Sequence, residues 1–397
     1  MGVRIDPRHW RRRRGMAKLL KALGADEGLT RYVGGAVRDG LLGLPVSDVD
    51  LATRLKPEDV VERLQGAGIK AVPTGFEHGT VTAVSDGHPY EVTTLRRDVE
   101  TFGRRATVAY TDDWSEDAAR RDFTINALMA DPASGEIFDY FGGLDDLEQR
   151  HVRFIGDPYE RIAEDHLRIL RFFRFHARFG AGEPDPAALG ACAARSNDLM
   201  ALSRERIADE MLKLLGVGDP CPTVRVMLDH GILKPVIPEI EPGAVRALEK
   251  LVQSEAAAGI APDPLRRLAA LLPRDPEAAG AVAARLKLSN RARKRVACAA
   301  APEIAGDPRE TAYRHGVECA VDRLLLAGRT ADAAAIVGWA PPRLPVSGGA
   351  LIRRGLAEGP VVSRTMRRIE ERWIAAGFAT GEALDAIVAE EVEAGRR

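Results

Sequence analysis

Near residue 150 this 397-residue chain changes its periodicity, and that change limits the fold more than any other feature. Before it, strand-like and helix-like segments alternate. RYVGG reads as a short strand running into a glycine turn, and AVRDGLLG as a short helix stopped at Gly43 with Pro45 beyond. VSDVDLAT has the period-two alternation of a strand, and KPEDVVERLQGAG reads as a helix with Pro57 in its first turn. KAVPTGFEHGTVTAV and PYEVTTL, rich in Val and Thr, read as further strands. From Asp157 onward the strand signal almost vanishes. EDHLRILRFFRFHARFG has helical periodicity, SRERIADEMLKLLG has a Ser N-cap and a glycine stop, and residues 220–330 are Ala- and Leu-rich patterns broken by Pro and Gly. PPRLPVSGG reads as a linker before two last helical stretches. The expectation is a mixed α+β chain, with an α/β head followed by a long all-helical arm and no fixed-period repeat.

Length alone predicts two to four domains. With 45% hydrophobic and 29% charged residues, the chain has the balance of a folded globular protein. No apolar run approaches the ~18 residues of a membrane span, and no apolar core follows the basic start MGVRIDPRHWRRRRG. Neither a membrane partner nor a secretory signal is therefore expected. Cys192, Cys221, Cys298 and Cys319 are scattered without a CxxC pair, which excludes a sequence-evident zinc site and a dense disulfide framework. A reduced cytoplasmic setting is the expectation. The net charge of −1 conceals an asymmetry: residues 1–21 hold eight Arg and Lys against Asp6 alone. Such an arm either follows a phosphate backbone or is a solvated tail.

Asp48 and Asp50 lie two apart on the expected strand, so both carboxylates share one face. Two like charges so close repel unless a cation sits between them, and Mg²⁺ is typically held by one or two carboxylates plus substrate phosphates. Upstream, Gly34 and Gly35 join a strand to a helix start, where a ligand can approach the backbone and anions are favoured. Arg38, one turn on, can reach a phosphate. Glu91, on a later strand, is either a third metal-side carboxylate or an exposed strand glutamate. In EDHLRILRFFR, Asp165, Arg168, Arg171 and Arg174 are each three apart and form a stripe on a helix whose other positions are strongly apolar. Buried charges need partners, and a nucleotide supplies them.

RYVGGAVRDGLLGLPVSDVDLAT resembles the head signature of the class II tRNA nucleotidyltransferase/poly(A) polymerase family, within the polymerase-β-like nucleotidyltransferases. ARRDFTINALMAD (119–131), EDHLRILRFFR (164–174) and SRERIADEMLKLL resemble that family's later motifs, in the same order, so the likeness covers about residues 30–240. It implies a basic N-terminal arm (1–29), a nucleotidyltransferase head (30–148), a helical neck with a base-recognition helix (149–218), a helical body (219–340) and an RNA-binding helical tail (341–397). It also implies that Asp48 and Asp50 hold two Mg²⁺ ions for one phosphoryl transfer, with Gly35, Arg38 and Arg121 at the phosphates. Asp122 and Asn126 then meet the ribose, or Asp122 instead caps a helix or pairs with an arginine. The family role of Asp165 and Arg168 is to read the base. Asp only accepts and Arg only donates. Cytosine and adenine each offer an amino donor beside a ring-nitrogen acceptor and suit the pair; guanine and uracil present the reverse.

Within the family, poly(A) polymerases commonly carry a Gly-basic-basic-Phe element after the Asp-x-Asp strand. PTGFEHGTVTAV (73–84) has no such basic pair, which favours tRNA as substrate. The charged loop at 96–117, with Asp98, Arg104 and Arg105, is long, which favours complete CCA addition from CTP and ATP over CC addition. No His-Asp dipeptide marks an appended phosphohydrolase. The basic runs RARKR (291–295) and RTMRRIEER (364–372) and the glycines of GGALIRRGLAEGP (348–360) are the candidate contacts to the tRNA acceptor and TΨC region, or else solvated helix faces. The competing readings are a poly(A) polymerase, a non-catalytic RNA-binding protein that keeps the fold, and nucleotidylation of a protein or small molecule. Nothing in the sequence marks an oligomeric state.

Overall fold

A computed structural model describes residues 3–102, 105–302 and 306–397, with the side chains of 98–102 and 105–108 outside that description. The chain divides into two compact units, Met1–Pro238 and Glu239–Arg397. The division falls inside the expected body.

The first unit is built on a mixed sheet. Its strands are β1 (Thr30–Val33), β2 (Asp50–Thr53), β3 (Lys70–Gly75), β4 (Thr80–Ser85), β5 (His88–Thr94), β8 (Met129–Ala130) and β9 (Ile137–Phe138), in the spatial order β3-β4-β5-β2-β1-β8-β9. A separate hairpin, β6 (Arg96–Phe102) with β7 (Arg105–Tyr110), occupies much of the stretch expected as a loop. Arg104 lies outside the described residues, as do the side chains of Asp98 and Arg105. Among the described residues, the β2–β5 pairing of this sheet is parallel and its other pairings are antiparallel. Alternation is clean where one face is covered: Val81, Ala83 and Ser85 of β4 and Tyr90, Val92 and Thr94 of β5 point inward. Asp86 and Gly87, both at positive φ, close the β4–β5 hairpin in the way an Asp-Gly pair favours.

Helices flank the sheet: α1 (Arg8–Arg11), α2 (Met16–Ala22), α3 (Gly35–Leu41), α4 (Pro57–Gly66), α5 (Trp114–Ala119) and α6 (Gly143–Glu148). The basic N-terminal stretch is no free arm in this structure. Trp10, Met16, Leu19, Leu20 and Leu23 are buried, while Arg12, Arg14, Lys18 and Lys21 between them are exposed.

The helical continuation holds α7 (Pro158–Glu164), α8 (Arg168–Phe179), α9 (Pro186–Ala194), α10 (Arg204–Leu215) and α11 (Cys221–Asp229). Where one helix is expected across 164–174, the structure has two. Asp165 is extended (φ −151°, ψ 107°) and ends α7; its carboxylate then accepts from Leu167 N at 3.1 Å, and α8 begins one residue later. Ile169, Leu170, Phe172 and Phe173 are fully buried, each contributing roughly 1.5–3 kcal/mol. Phe123, Phe154, Phe172 and Phe175 form one aromatic cluster with ring centroids 4.9–6.3 Å apart. That cluster seats α8 against the 122–126 segment.

Among its described residues the second unit's regular elements are all helices, from Ala244–Ala258 to Glu382–Arg396. Its interior holds a charge network: Arg266 and Arg267 on Glu255, and Arg266 and Arg295 on Asp322, at 2.7–2.9 Å. Cys298 and Cys319, expected to be reduced thiols, are joined by a disulfide. No helix among the described residues is long and apolar enough to cross a membrane.

Candidate active site

Two cavities meet at Asp50. The first, about 470 Å³, is lined by Gly34, Gly35, Arg38, Asp50, Arg120, Arg121, Asp122, Asn126, Asp165, Leu167, Arg168, Arg171, Phe175 and Arg206. The second, about 430 Å³, has Asp48, Asp50, Thr82, His88, Tyr90 and Glu91 in its wall. The head motif, the 119–131 motif and the 164–174 motif therefore converge in space.

Local geometry explains the glycine pair. Gly34 has φ 69° and ψ −129°, a backbone state that L side chains rarely adopt, and a Cβ there would lie 3.2 Å from the Arg121 guanidinium. Arg38 is almost fully buried. It pairs with Asp39 at 2.7 Å, hydrogen-bonds Asn126 Oδ1 and stacks 4.1 Å over Phe179. Burial pushes its pKa down against the pull of Asp39. Arg120 and Arg121 share Asp117, at 2.8 and 3.1 Å. Burial pushes Arg120 down to about 10. The cavity wall counts six arginines against three aspartates. The Nε–H of Arg121 and one terminal amino group of Arg206 are buried without a hydrogen-bond partner. A site with surplus buried donors suits a polyanion.

Asp122 takes the arginine-pairing alternative. Arg171 donates to it at 2.8 and 2.5 Å, and Asn126 Nδ2 donates at 3.0 Å. Burial opposes ionisation of Asp122, yet Arg171 and these hydrogen bonds hold the carboxyl below its ordinary range. Asp165 and Arg168 both reach the cavity with partners already in place. Arg206 donates to Asp165 at 2.6 Å; Arg168 bonds Glu164, the Arg161 carbonyl at 2.9 Å and the Arg120 carbonyl at 3.3 Å. Arg174 does not join them. It turns to Glu210 at 2.5 Å and stacks 4.3 Å over Phe175, and it does not itself line the cavity. With the helix broken before Leu167, the four charges do not form a single stripe.

The carboxylates also differ from a simple strand pair. β2 begins at Asp50, so Asp48 sits in the irregular chain ahead of it, though both face the second cavity. In the parallel register Leu51 opposes Val92, which sets Glu91 beside Asp50 on the neighbouring strand. Burial raises the Asp50 pKa, and Glu91 and Asp48 raise it further. Among the described residues no three His, Cys, Asp or Glu side chains gather as a preformed metal cage, so Glu91 completes none. The fit to a hard cation rests on Asp48 and Asp50. Both are oxygen donors, and Asp50, exposed to solvent at the start of β2, stands beside two other negative charges.

Sequence reasoning missed Arg206, Glu164, Arg120 and Asp117. The first two orient the Asp165–Arg168 pair, and Asp117 aims the two arginines at 120 and 121. Arg206 stands in the later motif SRERIADEM, where its spacing from Asp165 gave no sign of contact.

Comparison with known proteins follows the same lines. The family profile described as "Poly A polymerase head domain" matches residues 30–153, and that described as "Probable RNA and SrmB- binding site of polymerase A" matches 183–244. The mouse protein "CCA tRNA nucleotidyltransferase 1, mitochondrial" is 33% identical over 385 residues, covering 92% of this chain and 87% of that one. Its human counterpart is 41% identical over 245 residues, 61% and 55% of the two chains. The Bacillus stearothermophilus CCA-adding enzyme solved with CTP superposes with a TM-score of 0.75 at 27% identity, covering 96% and 98%. With motifs that converge on one site and a relative matched over nearly its whole length, the chain belongs to the class II tRNA nucleotidyltransferase family.

Proposed function

We propose that this chain completes tRNA 3′ ends with CCA, taking CTP and ATP in turn and releasing pyrophosphate. The observation that carries the reading is the first cavity, where Asp165 and Arg168 stand in one wall with Gly34, Gly35, Arg121 and Asp50. In this reading Arg38, Arg120 and Arg121 bind and orient the triphosphate, with the Gly34–Gly35 backbone close against it. Asp48 and Asp50 would hold Mg²⁺, which would supply neutralisation of triphosphate charge and a lowered pKa for the tRNA 3′ hydroxyl. That oxygen attacks the α-phosphorus, and the bond to the pyrophosphate oxygen breaks.

Asp165 and Arg168 choose the base. The Asp165 carboxylate accepts from Leu167 N and Arg206 and keeps lone pairs for an amino donor. A cytosine or adenine edge satisfies both residues, whereas guanine or uracil leaves buried groups unpaired at roughly 1–3 kcal/mol each. Arg206 and Glu164 fix the two side chains before the base arrives, so little ordering is left to the nucleotide. In the second unit, the exposed Arg293, Lys294, Arg364 and Arg367 are the tRNA-phosphate contacts. Their neighbours Arg291, Arg368 and Arg372 are already paired with glutamates. We assign the reaction to the cytoplasm. The mitochondrial names of the mouse and human relatives set the competing compartment, and cell fractionation distinguishes the two.

The test uses purified chain, Mg²⁺ and a tRNA transcript lacking its last three nucleotides, with nucleotides supplied singly and together and the products sequenced. CTP with ATP should give three added residues ending in CCA, then a stop, and Asp48→Ala should give none. A long A tail without CTP would make the chain a poly(A) polymerase; addition that ends before A would make it a CC-adding enzyme.

A further inference from the structure

Asp48 stands outside the regular strand that carries Asp50, so the sheet ladder does not hold it. Residues 44–49 form neither helix nor strand, and among their side chains only that of Val49 is buried. Leu44 N donates to Asp39 O at 2.8 Å at the start of this stretch, and Ser47 Oγ donates to the Asp48 carboxylate at 2.9 Å. The second of these is local to the stretch and fixes nothing to the rest of the head. A further tie comes from the N-terminal stretch. One terminal amino group of Arg13 donates to Ser47 O at 2.6 Å, and the other donates to Val46 O. A planar guanidinium can span two successive carbonyls in this way; a lysine ammonium cannot hold both in one fixed geometry.

The segment that carries Arg13 is itself firmly seated. Trp10 meets Tyr32 edge-on at 5.0 Å and packs so closely on Gly40 that a Cβ there would come within 2.7 Å of the indole. Tyr90 OH donates to Arg14 O at 2.7 Å, and Ser85 Oγ donates to Gly15 O at 2.8 Å. Tyr90 also belongs to the cavity wall that holds Asp48, Asp50 and Glu91.

We propose that Arg13 is a positioning residue for nucleotidyl transfer: it fastens the backbone at 46–47 to the packed N-terminal helices and so sets where the Asp48 carboxylate stands relative to Asp50. Its kinetic consequence rests on the function proposed above; the fastening does not. The basic stretch thereby has a task inside the head, apart from any attraction to RNA. Arg12, exposed and adjacent, has the same charge without these bonds and serves as the control.

The experiment compares the full chain with Arg13→Ala, Arg13→Lys and Arg12→Ala by amide hydrogen exchange and by steady-state nucleotide addition. In Arg13→Ala, peptides spanning 44–50 should exchange at least about tenfold faster while those from α8 are unchanged. Its kcat should fall about tenfold with KM for CTP moved less than about twofold, and the Mg²⁺ concentration giving half-maximal rate should rise. Arg13→Lys should recover part of each effect, and it carries the test if Arg13→Ala does not fold. Arg12→Ala should match the unsubstituted chain. Unchanged exchange at 44–50 overturns the proposal whatever the activity does. Equal losses in Arg12→Ala and Arg13→Ala overturn it too, since bulk charge would then be the cause. An unsubstituted chain that adds no nucleotide while the exchange difference persists defeats the functional reading and upholds the fastening.

Discussion

In the role proposed for them, Asp165 and Arg168 serve a base only if their hydrogen-bonding atoms are aimed before it arrives. Arg206 supplies that aim for Asp165 through a 2.6 Å ion pair, half-shielded from water. Replacing it by leucine frees the carboxylate to rotate, and preference for C and A over G and U should fall about tenfold; single-turnover incorporation of each nucleotide measures it. Arg174→Ala is the contrast. Its side chain binds Glu210, itself 4% exposed, so its loss should cost about 3 kcal/mol of stability. Base choice should not change, because Arg174 does not line the cavity. From sequence Arg168 and Arg174 are indistinguishable members of one series. Which of them faces the cavity depends on where α8 starts and on what α10 places opposite.

Among the elements, α5 shows how a short helix serves a site it does not line. Asp113 caps it by accepting from Ser115 N at 2.8 Å, and Asp117 in its last turn holds Arg120 and Arg121. Asp117 is 1% exposed. Burial opposes its ionisation, but Arg121 and Arg120 prevail and keep its pKa below the ordinary value. A depressed carboxyl contributes stability that is fully present above its unfolded pKa of about 3.9 and is lost as pH falls through its folded value. Asp117→Asn should therefore melt below the unsubstituted chain at pH 6, and the gap should narrow progressively as pH is lowered below about 3.9; scanning calorimetry across that range decides it. A gap that stays constant with pH would mean that packing, and not charge, is what Asp117 provides. The same scale shows where periodicity stops informing. Helical spacing marks 164–179 as apolar on one face, which is right for α8. It does not show the break at Asp165, because an aspartate that accepts from the backbone two residues on leaves the apolar pattern intact.

For the whole molecule, the question is which basic residues of the second unit remain free to meet RNA. In the helix Pro360–Ala375, Arg364 and Arg367 are exposed, whereas Arg368 and Arg372 bind Glu391 and Glu390 at 2.6–3.1 Å. Arg364→Glu with Arg367→Glu should raise KM for tRNA several-fold, leave KM for CTP unchanged and flatten the salt dependence of tRNA binding. The same change at Arg368 should act mainly on stability.

The sequence by itself determined the class of fold, the order of the motifs and the chemical types in the site. Those properties live in periodicity and in local spacing: two carboxylates two residues apart, a glycine pair at a helix start, and an acceptor and a donor three residues apart. Tertiary structure alone decided the partners. It sent Asp122 to Arg171 and Asp165 to Arg206, turned Arg174 away, set Glu91 beside Asp50 without building a metal cage, and brought Arg13 to the loop before Asp48. Each of these pairings joins residues far apart in the chain, 34 to 49 positions for the ion pairs and the Arg13–Ser47 contact. No local pattern encodes such a contact, because it depends on how separately folded elements pack.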